Sequence, residues 1–167
     1  MDESFFLNIV TLNTSNDPVP FYTEPQVPPP FGTIFTRTAA QSDFIMWFEY
    51  DVTLASENAS IALRYVDSND TISIQNIYSI NRWFLRYNDN GSFGNFAIYD
   101  TPMSALKIVA EVVGETYNIY FNNSIVMTAT NSLHATALKT QVGEFTRQSD
   151  IEFYTHSSAN LQYVLNK

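Results

Sequence analysis

The chain has 167 residues and a formal net charge of −9, with 17 acidic and only eight basic side chains. So few Lys and Arg residues, scattered along the sequence, do not form the clustered basic surface that nucleic acid or an anionic membrane requires. Aromatic residues make up 15% of the chain and cysteine is absent, so the composition favours a β-rich folded domain and excludes disulfides and cysteine-based metal sites.

The N-terminal part of the chain is distinguished by proline. The length predicts a single domain over residues 1–167, and residues 1–12 could form a terminal strand. Six of the seven prolines fall between Pro18 and Pro30. Because proline fixes φ and removes a backbone donor, we predict an extended, irregular segment over residues 18–31 that could cover a sheet edge.

The sequence carries no recognisable targeting or membrane segment. Its first residues lack the basic region of a signal peptide, and no apolar run approaches the roughly 20 residues needed to span a bilayer. We therefore expect no membrane insertion, and we favour a cytoplasmic or non-classically secreted protein.

Short alternating segments follow the proline-rich part and are separated by turn residues such as Gly114-Glu115 and Asn122-Asn123. The segment 106–130 is the clearest, because its period-two pattern predicts three consecutive antiparallel strands. We predict at most a helical turn near residues 132–137. The other predicted strands cover residues 33–38, 43–53, 60–66, 71–77, 82–88, 95–100, 139–145, 150–155 and 160–165. This succession predicts an all-β fold, a two-sheet antiparallel β-sandwich of the jelly-roll kind.

One pair of carboxylates could support catalysis. Glu49 and Asp51 lie at i and i+2, on one face of a predicted strand, and glycosidases use paired carboxylates as acid and nucleophile. The pair resembles the start of the glutamate–aspartate–glutamate signature of jelly-roll glycosidases, but Thr53 and Leu54 stand where the next glutamate belongs. A solvated strand face explains the pair more simply.

The histidines and the acidic turn give no clear site. His134 and His156 have no acid or nucleophile at a recognisable spacing, so we interpret them as surface or hydrogen-bonded histidines. The segment 67–70, Asp-Ser-Asn-Asp, could touch a calcium ion, but its composition is that of an ordinary turn. We therefore expect no metal and no cofactor.

The segment 64–88 contains the side-chain types that bind sugars. An aromatic face packs under the apolar patch of a sugar ring, and planar polar groups bind its hydroxyls. Arg64, Asn76, Trp83 and Arg86 supply these types from three adjacent predicted strands. The alternative is a core position for Trp83, whose alternation is shared by other apolar residues. Strict alternation also buries Asn76 with its apolar neighbours unless a bulge intervenes.

The order of segments resembles a galectin. The carrying segments are VPFYTEPQVPPPFG, DFIMWFEYDV, IALRYVDSNDTISIQNIYSINRWF and LKIVAEVVGETYNIYFNN. The resemblance implies that Asn76 matches an asparagine of the galactose site and Trp83 the tryptophan that stacks on galactose. Arg64, Val66 and Ser68 stand where a galectin has histidine, asparagine and arginine. Arg86 and Asn88 stand where it has glutamate and arginine.

The sequence also resembles laminin-G-like and concanavalin A-like domains, which share the two-sheet architecture. The first resemblance implies a site on a concave sheet face, whereas the second implies a site in loops at a sheet rim, often with calcium. Both imply a lectin-like role, so we expect a non-catalytic module that binds a glycan or glycoprotein and could form a homo-oligomer. The alternatives are an interaction or structural sandwich that has lost sugar binding, and a glycosidase using Glu49 and Asp51.

Overall fold

The computed structural model describes residues 17–20, 22–23, 35–38, 42–50, 60–101, 106–143 and 151–167. The predicted strand in residues 1–12, most of the proline-rich segment and Asp51 lie outside the described residues. The strands are β1 (Tyr22–Thr23), β2 (Phe35–Thr38), β3 (Phe44–Tyr50), β4 (Ser60–Asp67), β5 (Asp70–Ile77), β6 (Arg82–Asp89), β7 (Ser92–Asp100), β8 (Leu106–Val113), β9 (Thr116–Phe121), β10 (Ser124–Thr130), β11 (Lys139–Gly143) and β12 (Glu152–Thr155), and one helix, α1 (Ser158–Asn166), follows them.

The strands form two antiparallel sheets that pack face to face, which confirms the predicted all-β sandwich. Sheet A has the order β1-β12-β3-β8-β9-β10, and sheet B has the order β2-β11-β4-β5-β6-β7. One apolar core fills the space between them, because both sheets contribute fully buried side chains such as Phe44 and Ile108 from sheet A and Ile74 and Leu85 from sheet B.

The predicted meander over residues 106–130 is confirmed as β8, β9 and β10. Gly114 at the first turn has φ +53°, and Asn122 and Asn123 at the second have φ +47° and +71°. Two left-handed residues in a two-residue loop match the twist of a hairpin, and asparagine tolerates that conformation better than most residues. In β9 the buried side chains are Tyr117, Ile119 and Phe121, at every second position.

The predicted strand over residues 160–165 is wrong, because this segment forms α1. Ser157 caps the helix, and its hydroxyl oxygen accepts from the backbone N–H of Asn160 at 3.0 Å. The helix lies on the face of sheet A that points away from sheet B, where Val164 is fully buried with Ile45 and Trp47. Packing against this second apolar face outweighs the local alternation that suggested a strand.

Residues 132–137 form a turn-rich connection between β10 and β11, as the prediction of at most a helical turn allows. The N–H of Ala135 donates to the carbonyl of Ser132, and the N–H of Ala137 donates to the carbonyl of His134. Within the described part of the chain, no helix has the length and apolar character that crossing a membrane requires.

Candidate functional site

The structure places Trp83 inside the sandwich, so the predicted aromatic platform is wrong. Its side chain is fully buried and meets the ring of Phe121 edge-on, with ring centroids 5.0 Å apart. Alternation along β6 explains the position, since Trp83, Leu85 and Tyr87 share the face toward sheet A. An indole buried in this way offers no face to a sugar ring.

Arg64 and Asn76 are also buried completely, which corrects their assignment to a concave surface. The register between β4 and β5 shifts between Ala62 and Arg64, and this bulge turns Arg64 toward the core side beside Ile72. The Arg64 guanidinium donates to the carbonyls of Ala137 and Gly114, each at 3.2 Å. It therefore joins loops at one end of the sandwich. Asn76 pairs with Trp83 across β5 and β6 and shares its core-side face.

Arg86 is the one predicted site residue that lies on the outer face of sheet B, the face that points away from sheet A. A groove of about 220 Å³ opens on this face. Strands β4 and β5 contribute residues at alternate positions, β6 contributes three consecutive residues, and Phe93 near the start of β7 forms one wall. The groove is lined by Ser60, Ala62, Ser68, Thr71, Ser73, Gln75, Arg86, Tyr87, Asn88 and Phe93. The small serine and threonine side chains leave the groove open. Arg86 and Asn88 offer polar groups to a ligand, and Phe93 offers an aromatic ring.

The Arg86 guanidinium is held from three sides. It donates to the amide oxygen of Gln75 on the neighbouring strand. The rings of Phe93 and Phe84 lie 5.3 and 5.9 Å from its central carbon, which is cation–π range. Its Nε atom is buried and has no hydrogen-bond partner in the described structure. The side chain is thus fixed in position while part of its donor capacity stays unused.

Phe93 is the exposed aromatic residue of the groove, with 67% of its surface accessible. It opposes Asn88 across the β6–β7 ladder. The next residue is Gly94, and the ring of Tyr87 fills the space of its missing side chain, because an added Cβ would lie 2.4 Å from that ring. This close approach seats the start of β7 against β6 and leaves Phe93 at the surface.

Asn88 gives the groove a buried amide. Its Nδ2 donates to the carbonyl of Ser68 at 2.9 Å, and its Oδ1 has no partner among the described residues. Buried polar atoms are usually satisfied by protein, water or ligand. Asn88, Gln75 and Phe93 were not predicted as site residues, although the period-two pattern of β5 and β6 places Asn88 and Gln75 on the same face as Arg86.

A second arginine on the outer face of β6 has a different environment. Arg82 donates to both carboxylate oxygens of Asp100, with Nη2 at 2.9 Å from Oδ2. This hydrogen bond raises the pKa of Arg82 and lowers the pKa of Asp100. The charge of Arg82 is therefore matched by a carboxylate, whereas the described hydrogen bond of Arg86 goes to the neutral Gln75.

Asp70, Asp89 and His134 form the metal-like cluster among the described residues, with ligating atoms within 4.8 Å of one another. The Nε2 of His134 lies 3.2 Å from the carbonyl oxygen of Asn88 and 3.9 Å from the Asp70 carboxylate. In the tautomer that carries a proton on Nε2, His134 donates to this carbonyl and ties the loop after β10 to sheet B. The segment 67–70, which the sequence suggested as an ordinary turn, has a turn hydrogen bond in which the N–H of Asn69 donates to the Asp67 carboxylate at 2.7 Å.

A polar cluster around Glu111 lies on the helix-bearing face of sheet A. The Glu111 carboxylate accepts from Asn118 Nδ2 at 2.9 Å, from His156 Nε2 at 2.9 Å and from the Tyr120 hydroxyl at 3.3 Å. Burial alone raises the pKa of Glu111, but these three donors together outweigh it and lower the pKa. His156 thus has a hydrogen-bond partner, as His134 does, in agreement with the interpretation of both as surface or hydrogen-bonded histidines.

The carboxylate pair considered for catalysis is only partly described. Glu49 is exposed in β3, opposite Lys107 of β8, and belongs to sheet A, whereas the groove belongs to sheet B. Asp51 lies outside the described residues, so the pair stays a prediction.

No protein-family model and no curated protein sequence matches the chain. Solved structures do. The chain is similar to the Caenorhabditis elegans galectin LEC-6, with a TM-score of 0.62 and 10% identity over 78% of this chain and 94% of that one. It is also similar to the carbohydrate-binding module CBM66 from Bacillus subtilis, with a TM-score of 0.51 and 15% identity over 75% of this chain and 80% of that one.

An enzyme appears among the similar structures as well. The exo-inulinase from Aspergillus awamori matches with a TM-score of 0.63 and 15% identity, over 83% of this chain but only 29% of the enzyme chain. At these identities the likeness shows the fold alone. The chain has the galectin-like, concanavalin A-like sandwich fold, which confirms the architecture that both sequence resemblances implied.

Proposed function

We propose that the chain is a non-catalytic carbohydrate-binding module, and that a glycan occupies the groove on the outer face of sheet B. The observation that carries the proposal is the combination of an exposed aromatic ring with fixed planar polar groups in one open groove. The ring of Phe93 would pack against the C–H face of a sugar, and Arg86 and Gln75 would bind its hydroxyls.

The groove has the character of a shallow glycan site. Serine and threonine hydroxyls on its floor can donate and accept, so they can exchange ordered water for sugar hydroxyls. The similar structures include proteins whose names are galectin and carbohydrate-binding module, which supports the proposal by analogy of fold. This assignment keeps the lectin-like role and Arg86 from the sequence prediction, and it replaces the buried Arg64, Asn76 and Trp83 with residues on the outer face of the sheet.

A glycan array and matched variants test the proposal. We expect the oligomerised wild-type protein to bind a defined set of glycans and Phe93→Ala to lose that binding, because the stacking ring is gone. Ile125→Ala is the control, since Ile125 is 54% exposed on β10 of the other sheet. An array without any bound glycan would end the proposal, and so would a Phe93→Ala variant that binds as the wild type does.

The second candidate is a protein-interaction module. Phe93 and Ile98 are 67% and 51% exposed on β7, and such residues on an outermost strand also suit a protein partner. The array separates the two functions, because a protein-interaction module gives no glycan signal.

We propose a second copy of the chain as a further partner. β7 and β10 are the last strands of their sheets, and no strand of the described structure pairs with their outer edges. Pairing of two copies along such an edge would bring two grooves together and raise the avidity of a weak site. Sedimentation velocity measures the oligomeric state. We expect the wild type to be a dimer and the Ile98→Lys variant to be a monomer.

We propose that the module does not cleave what it binds. Glu49 lies on the other sheet from the groove, and no carboxylate lines the groove within the described chain. Incubation of bound glycans with the protein should release no reducing ends. Release that disappears in Glu49→Gln would instead support the glycosidase alternative.

A further inference from the structure

The groove on sheet B contains one formal charge. Among its described lining residues, Arg86 is charged and all the others are neutral. This is unusual for a chain in which acidic residues outnumber basic ones by 17 to eight. The formal charge of the described groove lining is therefore positive, although the molecule as a whole is acidic.

The charge of Arg86 is incompletely matched by its described neighbours. Its hydrogen-bond acceptor is the neutral amide of Gln75, and its other contacts are the faces of Phe84 and Phe93. Both rings lie within cation–π range of the guanidinium, and its Nε atom is buried without a described partner. An anion forms the strongest hydrogen bonds that a guanidinium can make. Arg82, on the same strand and face, shows the matched arrangement with Asp100.

We infer that the groove selects a glycan unit that carries an anionic group, either a carboxylate or a sulfate ester, and that Arg86 is the residue that recognises it. This inference rests on the proposed glycan-binding function and specifies its ligand class. Phe93 packs against the sugar ring, and the guanidinium between Phe93 and Phe84 pairs with the anionic substituent.

The number of charges sets the kind of acidic glycan. One cation cannot match a densely charged polymer, and the net charge of −9 repels such a polymer at long range. The ligand is therefore an oligosaccharide with an isolated acidic residue rather than a polyanion of the heparin type.

The test compares acidic glycans with their neutral counterparts. An array should carry neutral oligosaccharides and the same backbones bearing one uronate, one sialate or one sulfate ester. Titration calorimetry then measures the best acidic glycan against its neutral backbone. Because hydrogen bonds to charged groups are stronger than neutral ones, we expect the acidic form to bind about 10- to 100-fold more tightly. Comparison of the carboxylate-bearing glycans with the sulfated glycans identifies which anion the groove prefers.

Matched arginine variants assign the preference to its residue. Arg86→Gln should bind the acidic and neutral forms equally, and Arg86→Lys should keep part of the preference because it keeps the charge but not the planar fork. Arg82→Gln, on the same strand but already paired with Asp100, should behave as the wild type. Circular dichroism of each variant establishes that it is folded.

The outcomes separate the inference from the function beneath it. Equal binding of acidic and neutral glycans by the wild type overturns the inference and leaves the glycan-binding function intact, as does an acidic preference that survives in a folded Arg86→Gln variant. Binding of heparin in place of singly charged glycans contradicts the ligand class. An array with no binding at all overturns both the function and the inference.

Discussion

Three positions separate Trp83 from Arg86 on β6, and the odd spacing places the two side chains on opposite faces of the sheet. Trp83 lies between the sheets against Phe121, and Phe121 also meets Tyr99 edge-on at 5.6 Å. Arg86 lies in the groove between Phe84 and Phe93. A core residue and a residue of the proposed binding groove are therefore near neighbours whose effects on stability and on binding can be measured separately.

Substitution of Trp83 should lower stability without changing the groove. We expect Trp83→Phe to cost roughly 1–3 kcal/mol, less than truncation of a buried aromatic residue to alanine, because a smaller ring leaves a cavity in the core. Urea unfolding measures this cost. The affinity of the folded variant for the glycan bound by the wild type should be unchanged, whereas Phe93→Ala should show the reverse pattern. A folded Trp83→Phe protein that no longer binds glycan would indicate that Trp83 takes part in binding after all.

Among the secondary-structure elements, α1 is the one whose type was predicted wrongly, because alternating apolar residues suggested a strand. Leu161, Tyr163 and Leu165 occupy alternate positions, which suggested a strand, but Leu161, Val164 and Leu165 also have the i, i+3, i+4 spacing of a helix. The capping serine at position 157 was the available signal for the helix. When a short segment fits both the strand period and the helix period, its structure is determined by the surface on which it packs. Here that surface is the apolar outer face of sheet A.

Loss of packing beneath α1 should destabilise the protein. Val164 is fully buried against Ile45, Trp47 and Val109, so we expect Val164→Ala to cost about 2 kcal/mol in free energy of unfolding. Gln162→Ala on the exposed side of the helix is the control and should be nearly neutral. Urea unfolding of both variants measures the difference, and equal stability of the two would mean that the helix is not held by this contact.

The Glu111 cluster should make stability depend on pH. Because the pKa of Glu111 is lower in the folded chain than its ordinary 4.5, its contribution is present above pH 4.5 and is lost as the pH falls through the folded value. Glu111→Gln should therefore cost about 1–3 kcal/mol at pH 7, and the difference from the wild type should shrink on acidification. Urea unfolding between pH 7 and 3 measures it. Glu115→Gln in the exposed turn is the charge control, and a pH-independent difference for Glu111→Gln would refute the assignment.

For the molecule as a whole, the sequence predicted the sandwich better than it predicted the site. The meander of β8 to β10 and most other strands could be read from alternation, because each strand buries one face. The groove depends on which strands pair and in which register. The bulge that turns Arg64 inward lies between β4 and β5, and Phe93 fell outside the predicted strand because the neighbouring Gly94 weakens a strand pattern.

The excess of acidic residues should govern self-association. The sequence has a pI near 4.4, so the repulsion between molecules that a net charge of −9 provides at pH 7 disappears as the pH approaches that value. We expect light scattering to rise toward a maximum near pH 4.4 and to fall again below it. Circular dichroism on the same samples separates association of folded protein from acid unfolding. Scattering that rises without a maximum would indicate that unfolding drives it.

The helix on sheet A makes the two broad sides of the sandwich unequal. One side is closed by α1, and the other presents the groove, with the full thickness of two sheets between them. A fluorophore or surface linker placed at Gln162 would face away from the groove and leave it open to solution. The fold therefore has a built-in orientation for immobilisation, with the helix toward the support and the groove toward the sample.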